Sequence, residues 1–326
     1  MIRSILLIVT LICCHGTGAA SGTPAKFALE PAQVAERVWY FQGQSGMASR
    51  DNRGFMSNAG FVVTDDGVVV FDALATPALA SAMLDAIRTI TPQPVRRVIV
   101  SHYHADHVYG LQVFKQAGAE IWARNEGRIY LRSDLAAERL AQRRRDLSPW
   151  VDLHTELIRA DRWLIFEDDA PQSFELGGMR FELLSGGDSH APDDLMLWVP
   201  AQSVLFAGDL FFTGRLPFVV DGNTRQWLQA LGRIDPGQAR VVIPGHGPAS
   251  TDVGLDLQVT RHYLQFLRRH MGEAAEALMT FEEAYAATDW SEFESLPTFE
   301  QANRRNAYTV FLEMQAEMLE PETAGP

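Results

Sequence analysis

Cysteine is almost absent from this chain of 326 residues, which contains only Cys13 and Cys14. Both belong to the apolar run from Ile5 to Cys14 near the N-terminus. If this run is removed, the mature chain has no thiol, which excludes disulfide bonds and cysteine as a metal ligand. The fold must then be stabilised by its hydrophobic core alone.

Long apolar runs are scarce as well. The run from Ile5 to Cys14 follows Arg3 and precedes small residues from Gly16 to Ser21, an order typical of a cleaved signal peptide. It is too short to span a bilayer comfortably, which needs about 20 apolar residues. We therefore predict a signal peptide over residues 1–20, a periplasmic or secreted mature protein, and no membrane partner.

Basic residues are outnumbered, with 28 Lys and Arg against 41 Asp and Glu and a net charge of −13. Removal of Arg3 with the signal peptide makes the net charge more negative still. A strongly acidic surface repels polyanions, so we expect a small-molecule substrate and no nucleic acid partner. The run Arg143-Arg144-Arg145 is interpreted as a solvated helix face.

What the chain does contain is the segment 102–107, which reads His-Tyr-His-Ala-Asp-His. Three imidazoles and a carboxylate directly follow the strand-like run Val98-Ile99-Val100. A strand that leads into a loop presents these side chains together at a sheet edge, where they can converge on a metal. Zinc favours imidazole nitrogen and carboxylate oxygen, and a catalytic zinc site keeps one position open for water.

Three more potential ligands, His190, Asp209 and His246, follow short strand-like segments. Asp209 follows the apolar run 204–207, and His246 lies in a Pro-Gly-His-Gly-Pro segment. We predict each at the end of a strand, where all three reach the same rim of a sheet. Together with the first cluster they are enough for two metal ions.

This pattern resembles the metallo-β-lactamase superfamily, whose signature is HxHxDH followed by a His, an Asp and a His at strand ends. The likeness extends from about residue 58 to residue 248. It implies a hydrolase with two zinc ions and a hydroxide between them. The resemblance assigns one ion to His102, His104 and His190, the other to Asp106, His107 and His246, and gives Asp209 to both.

Two carboxylates have further roles by the same resemblance. Asp72, which ends the strand-like run 68–71, matches an acidic position that supports the ligand loop without binding metal. Asp106 is expected to accept a proton during cleavage in addition to its ligand role. Asp209 is expected to fix the spacing of the two metals.

Strands and helices alternate along the chain, which predicts the α/β fold class. Two runs of strands, each followed by helices, fit an αββα metallo-β-lactamase sandwich with the site at one edge between the sheets. We expect this domain over residues 27–250 and a helical C-terminal appendage over residues 251–326. The predicted helices include 77–89, 134–146, 224–234, 259–270, 274–287 and 299–319.

The substrate class is narrowed by resemblance within the superfamily. Asp209 favours the branch that resembles hydroxyacylglutathione hydrolases, lactonases and phosphodiesterases over true β-lactamases. The segment 209–215, Asp221-Gly222-Asn223 and Trp227 resemble exported SoxH-like proteins, described as zinc metallohydrolases of quinoprotein relay systems. We expect a small ester, thioester, lactone or β-lactam as substrate, and we expect Arg215 to bind a carboxylate, which its planar fork fits.

Two alternatives remain open from the sequence. An iron-dependent sulfur dioxygenase of the same superfamily would hold a single iron through His102, His190 and Asp209. A metal-binding module without catalysis is the other alternative, although it has little use for a bridging carboxylate. Metal content separates the first alternative from a two-zinc hydrolase. The oligomeric state is open, since no heptad pattern predicts a coiled coil.

Overall fold

The computed structural model describes residues 27–219, 221–235 and 237–319. The predicted signal peptide, residues 1–20, lies outside these ranges. Within them, no helix is both long enough and apolar enough to cross a membrane. Two β-sheets pack face to face, and helices cover their outer faces.

The first sheet has seven strands that lie side by side in chain order. They are β1 (Ala32–Ala35), β2 (Val38–Phe41), β3 (Ala59–Val63), β4 (Val68–Phe71), β5 (Val95–Ile99), β6 (Glu120–Arg124) and β7 (Arg162–Leu164). Strands β1 to β4 pair antiparallel, whereas β4 to β7 pair parallel. The carboxyl ends of the parallel strands therefore meet at one edge, where ligands bind in open sheets of this kind.

Helices connect the parallel strands of this sheet. They are α1 (Pro77–Ile90), α2 (Ala105–Val108), α3 (Leu111–Gln116), α4 (Gly127–Leu131) and α5 (Asp134–Asp146). Helix α1 begins after Thr76, whose side chain accepts a hydrogen bond from the backbone N–H of Leu79, and a proline fits its first turn. Helix α5 occupies its predicted range, with Ser133 as its N-cap.

The second sheet has five strands, which also lie side by side in chain order. They are β8 (Gln172–Leu176), β9 (Met179–Gly187), β10 (Asp194–Val199), β11 (Val204–Phe212) and β12 (Val241–His246). Among the described residues, β11 and β12 are the only strands of this sheet that pair parallel, and helix α6 (Thr224–Leu231) lies between them in the chain. The predicted helix 224–234 is thus three residues shorter in the structure.

Three helices follow the second sheet: α7 (Val253–Glu276), α8 (Phe281–Ala287) and α9 (Phe299–Leu319). The boundary predicted between 270 and 274 was wrong, because α7 continues to Glu276. The chain breaks instead at Leu278, which has a left-handed φ of 57°. Thr280 then starts α8 as its N-cap. Its side chain and that of Glu283 each accept a hydrogen bond from the backbone N–H of the other residue, which is a capping box.

Apolar side chains join the four layers. Val69 of β4 and Phe206 of β11 belong to the cluster between the sheets. Met83 of α1 packs in the cluster outside the first sheet, and Leu264 of α7 packs in the cluster outside the second. The predicted αββα architecture with a C-terminal helical region is therefore confirmed.

A buried polar network ties α9 to the loop 217–219. Asn306 donates from Nδ2 to the Pro217 carbonyl at 2.7 Å, and its Oδ1 accepts from the Val219 N–H at 2.9 Å. The same Nδ2 lies 3.0 Å from the hydroxyl of Tyr263 on α7. The C-terminal helices thereby fix the backbone around Phe218.

Candidate metal centre

The loop after β5 carries four of the candidate ligands. His102 lies in the loop, His104 is the N-cap residue of α2, and Asp106 and His107 lie in that short helix. His102 and His107 are buried. The carboxyl edge of the first sheet therefore presents the HxHxDH side chains together.

Asp72 holds this loop from the end of β4. Its Oδ1 accepts a hydrogen bond from the Ser101 N–H at 2.7 Å, and its Oδ2 accepts from the Ser101 hydroxyl at 2.8 Å. The same Oδ2 lies 2.8 Å from His107 Nδ1. Asp72 has a φ of 64°, a left-handed conformation that is costly for a non-glycine residue and that collects at functional sites. Its support of metal binding stays a prediction.

Asp209 lies inside a strand, so the prediction that it ends one was wrong. Strand β11 continues to Phe212, and its pairing with β12 shifts register on both sides of Gly208, which has a φ of 55°. A bulge re-aims the side chains beside it. The Asp209 carboxylate accordingly lies among histidines, with Oδ1 3.3 Å from His107 Nε2. Bulges depend on the partner strand, which the sequence pattern does not show.

Two histidines reach Asp209 from the second sheet. His190 follows β9, and its Nε2 lies 3.3 Å from Asp209 Oδ2. His246 is the last residue of β12, as predicted, and its Nε2 lies 3.2 Å from the same oxygen. On their far sides, His190 Nδ1 lies 3.0 Å from the Phe218 carbonyl and His246 Nδ1 lies 2.7 Å from the Met56 carbonyl. Donation of each Nδ1–H to its carbonyl leaves Nε2 as the electron-pair donor.

In all five histidine rings, one nitrogen is bonded outward and the other is directed to the centre of the candidate site. His102 Nδ1 lies 2.9 Å from the Ser101 hydroxyl, and His107 Nδ1 faces Asp72. His104 is reversed, because its Nδ1 lies 3.1 Å from His190 Nε2 while its Nε2 faces outward. The outward bonds fix both the orientation and the tautomer of each ring.

Asp221 is the outward partner of His104, and the sequence reasoning gave it no role. Its Oδ2 lies 3.2 Å from His104 Nε2. The neighbouring Gly222 passes so close to the His190 loop that a Cβ there would lie 1.8 Å from the Ser189 carbonyl oxygen. The Asp-Gly pair was visible in the sequence, but its approach to that loop is a tertiary contact.

The candidate ligands form three groups in which the ligand atoms lie within 4.8 Å of one another. The groups are His102, His104 and His190; Asp106, His107 and His246; and His102, His107 and Asp209. The first two are the sets that the resemblance implied. The third links them through a residue of each and Asp209.

The donor atoms fit metal ions chemically. The Nε2 atoms of His102, His107 and His246 and Oδ1 of Asp209 are buried and have no hydrogen-bond partner among the described residues. Buried polar atoms in folded proteins are normally satisfied. Imidazole nitrogen together with carboxylate oxygen is the donor set that zinc and iron take.

The pKa values of the buried histidines shift in two opposite directions. Burial, with His104 and His107 nearby, lowers the pKa of His102 well below its usual range, and burial lowers the pKa of His190 to about 4. Both rings are neutral at pH 7, which is the form a metal ligand needs. Burial opposes charge on His107 too, but Asp209 and Asp106 outweigh it and raise its pKa well above the usual range. Metal binding at His107 must therefore release a proton.

A cavity opens over these groups, with a volume of about 840 Å³ that includes its mouth to solvent. Its lining comprises the candidate ligands His104, Asp106, His190 and Asp209, the apolar residues Met47, Met56, Ala105, Phe218 and Ala302, and the polar residues Tyr130, Arg139, Arg143, Asp221, Gln301, Arg305 and Asn306. The C-terminal helix α9 supplies four of these residues, Gln301, Ala302, Arg305 and Asn306.

The interpretation of Arg143-Arg144-Arg145 as a solvated face was wrong for two of the three residues. Arg143 lines the cavity, and Arg144 donates to the backbone carbonyls of Asp152 and Thr155 at 2.7 and 2.8 Å. Only Arg145 is exposed. Consecutive residues on a helix point in different directions, so three arginines in a row cannot share one face.

Arg215 lies behind His246. Its side chain is 1% exposed, its Nη1 lies 3.2 Å from His246 Nδ1, and its Cζ lies 4.6 Å from the centre of the Phe218 ring. Burial lowers its pKa from the usual value. Binding of a substrate carboxylate by Arg215 stays a prediction.

Comparison with known proteins agrees with the fold. The family model described as Metallo-beta-lactamase superfamily matches residues 52–246, which is more than half of the chain. The metallo-beta-lactamase IND-1 of Chryseobacterium indologenes is 24% identical over 197 residues, which cover 59% of this chain and 72% of that protein.

Solved structures show the same fold. A metallo-beta-lactamase from Pontibacter korlensis has a TM-score of 0.57 and 23% identity, covering 73% of this chain and 99% of its own. The stereoselective inverting sec-alkylsulfatase Pisa1 from Pseudomonas sp. has a TM-score of 0.69 and 17% identity, covering 90% of this chain and 52% of its own. The protein therefore belongs to the metallo-beta-lactamase superfamily of metal-dependent hydrolases.

Proposed function

We propose that the protein is an exported hydrolase that uses two zinc ions to cleave a small ester, thioester, lactone or β-lactam. The observation that carries this proposal is the common orientation of the five histidine rings, each with one nitrogen bonded outward and one directed inward. Such preorganisation has a use in holding metal, since it leaves Nε2 of His102, His107 and His246 buried and without a hydrogen-bond partner among the described residues.

In the proposed site, His102, His104 and His190 hold one zinc ion, and Asp106, His107 and His246 hold the other. Asp209 contacts both sets, because its Oδ1 faces His107 and its Oδ2 faces His190. When bound, the two ions lower the pKa of water to about 7 and polarise the bond to be cleaved.

The protein's own groups then bind and orient the substrate. Met56 and Phe218 line the cavity and offer an apolar surface to the substrate body. Asp106 lines the same cavity, and although burial raises its pKa, His107 and His246 outweigh burial and hold that pKa well below the usual range. Asp106 is therefore a carboxylate at neutral pH, placed at the cavity wall to accept a proton as the bond breaks.

Export is the second part of the proposal. It rests on the sequence order of Arg3, the apolar run Ile5 to Cys14 and the small residues up to Ser21. The mature protein would then work in the periplasm or outside the cell, where a chain without cysteine has nothing to oxidise to a disulfide.

The test of the proposed function is the metal content of protein purified from the periplasm, measured by elemental mass spectrometry together with hydrolysis of an ester and lactone panel. We expect about two zinc ions per chain and turnover that is lost on chelation and restored by zinc. About one iron per chain with little zinc, and oxygen-dependent turnover of a persulfide, would contradict the proposal. Full zinc loading without turnover of any substrate would leave only metal binding.

The role of Asp72 can be tested separately. In Asp72→Asn, an N–H would face His107 Nδ1 and oppose the tautomer that leaves Nε2 free to bind metal. We expect zinc affinity to fall about 10- to 100-fold, as for other groups that orient metal-binding histidines. Competition with a chromogenic chelator measures the affinity. Asp66→Asn is the matched control, since this exposed residue lies before the other end of β4; equal affinities of the two variants would contradict the role.

A further inference from the structure

We propose that the substrate is an anion whose carboxylate is held by Arg139, Arg143 and Arg305 on the cavity wall, away from the bond that is cleaved. The inference rests on the proposed function, since it places the cleaved bond at the candidate metal ligands of the same cavity. It assigns to the arginine wall, defined by these three residues, the role of selecting the substrate class.

The arginine wall is built from two separate parts of the chain. Arg139 and Arg143 are four residues apart on α5, so their side chains leave the same face of that helix. Arg305 comes from α9 in the C-terminal helical region. All three line the cavity that His104, Asp106, His190 and Asp209 also line. Two distant elements of the chain therefore give the cavity wall three arginines.

None of the three side chains has an ion pair or a hydrogen-bond partner within residues 27–219, 221–235 and 237–319. Arg139 and Arg143 are half-buried, whereas Arg305 is exposed at the mouth of the cavity. The carboxylates of the cavity face histidines instead: Asp209 faces His190, and Asp221 faces His104. His104 and, more weakly, Arg139 lower the pKa of Asp221, so this carboxylate offsets part of the charge of the arginine wall without pairing directly with any of the three arginines.

Unpaired arginines four residues apart on a helix repel each other, and a bound anion relieves that repulsion. Like charges four residues apart on a helix destabilise it. A guanidinium fork matches a carboxylate with two parallel hydrogen bonds, and charge-assisted bonds of this kind are strong. The apolar residues Met47, Met56 and Phe218 line the same cavity. The fitting substrate therefore has a small apolar body with a carboxylate at one end.

Binding tests the arginine wall without turnover. The probes are succinamate, which has one carboxylate, and succinamide, its neutral analogue, titrated into zinc-loaded protein by calorimetry. Any contact between a probe and zinc is common to all variants, so differences between variants report the arginines. We expect Arg139→Gln, Arg143→Gln and Arg305→Gln each to raise the Kd of succinamate about 10-fold, or about 1.4 kcal/mol. Succinamide binding stays unchanged, and the control Arg145→Gln, an exposed arginine on α5, behaves as the wild type.

Turnover tests the same wall through charge selectivity. The substrates are the 4-nitrophenyl monoester of succinate and its counterpart with the carboxylate capped as a methyl ester. We expect the wild type to prefer the anionic ester in kcat/KM. Each Gln variant should lower that preference about 10-fold, mainly by raising KM, while the neutral ester is cleaved as before. Arg143→Lys should restore part of the preference, because it keeps the charge and loses the fork.

The outcomes separate this inference from the proposed function. Cleavage of both esters with no charge preference, or with a preference that the Gln variants keep, overturns the arginine wall and leaves the hydrolase standing. Arginine-dependent succinamate binding with no ester cleavage supports the wall and counts against the hydrolase. Succinamate binding that is absent in the wild type, or equal in all variants, also overturns the inference.

Discussion

Replacement of Asp209 by alanine is expected to lower kcat/KM for any cleaved ester by at least about 1,000-fold. This carboxylate is 3% exposed and contacts histidines of both proposed ligand sets through its two oxygens. Its removal would cost several kcal/mol of metal-based stabilisation, at about 1.36 kcal/mol per factor of ten. The measurement is kcat/KM in excess zinc, with metal content per chain determined on the same sample.

His104→Ala should have a similar effect, since it removes one ligand of the other proposed set. The matched control is His262→Ala, whose ring lies 2.7 Å from Glu292 on the exposed surface. Circular dichroism and thermal unfolding should show that both histidine variants keep the fold, because the side chains of His104 and His262 are 23% and 48% exposed. Activity retained in both metal-loaded variants would contradict the two-zinc mechanism.

Gly245→Ala should be nearly as damaging, although glycine carries no chemistry. A Cβ at this position would lie 1.8 Å from Asp209 Oδ1 and 2.8 Å from the Asp209 backbone nitrogen. The added methyl must push the carboxylate away from the histidines, and misplacement by about 1 Å can lower activity about 100-fold. Overpacking should also lower the free energy of unfolding by about 1–3 kcal/mol.

The measurements for Gly245→Ala are kcat/KM, zinc affinity and the midpoint of thermal unfolding. Gly46→Ala is the control, because a Cβ there would meet nothing within 4 Å. If Gly245→Ala bound zinc and cleaved substrate as the wild type does, the position of the Asp209 carboxylate would not matter, and its proposed role in both metal sets would fail.

The sequence predicted best where chemistry is local. The HxHxDH segment places its four side chains within one loop and one helical turn, so their proximity follows from spacing alone. His246 was also placed correctly, since a parallel strand next to β11 must end at the same edge. The fold class followed from the alternation of strands and helices.

The predictions failed where contacts with a distant part of the chain decide the direction of a side chain. Asp209 is directed by a bulge that exists only in the pairing with β12. Asp221 reaches His104 because Gly222 fits against the Ser189 carbonyl. The direction in which Arg139 and Arg143 point depends on how α5 packs, and an isolated helical pattern cannot show that.

The network at Asn306 has a thermodynamic consequence. Asn306 holds the backbone on both sides of Phe218, and the Phe218 carbonyl in turn holds His190 Nδ1. Arg305, the residue before Asn306, lies on the cavity wall. Three hydrogen bonds, two from Asn306 to the loop and one from that loop to His190, therefore link α9 to a candidate metal ligand. We expect a molecule that displaces α9 to change the affinity of the proposed site for metal, and because linkage is reciprocal, bound metal would change the affinity for that molecule by the same factor.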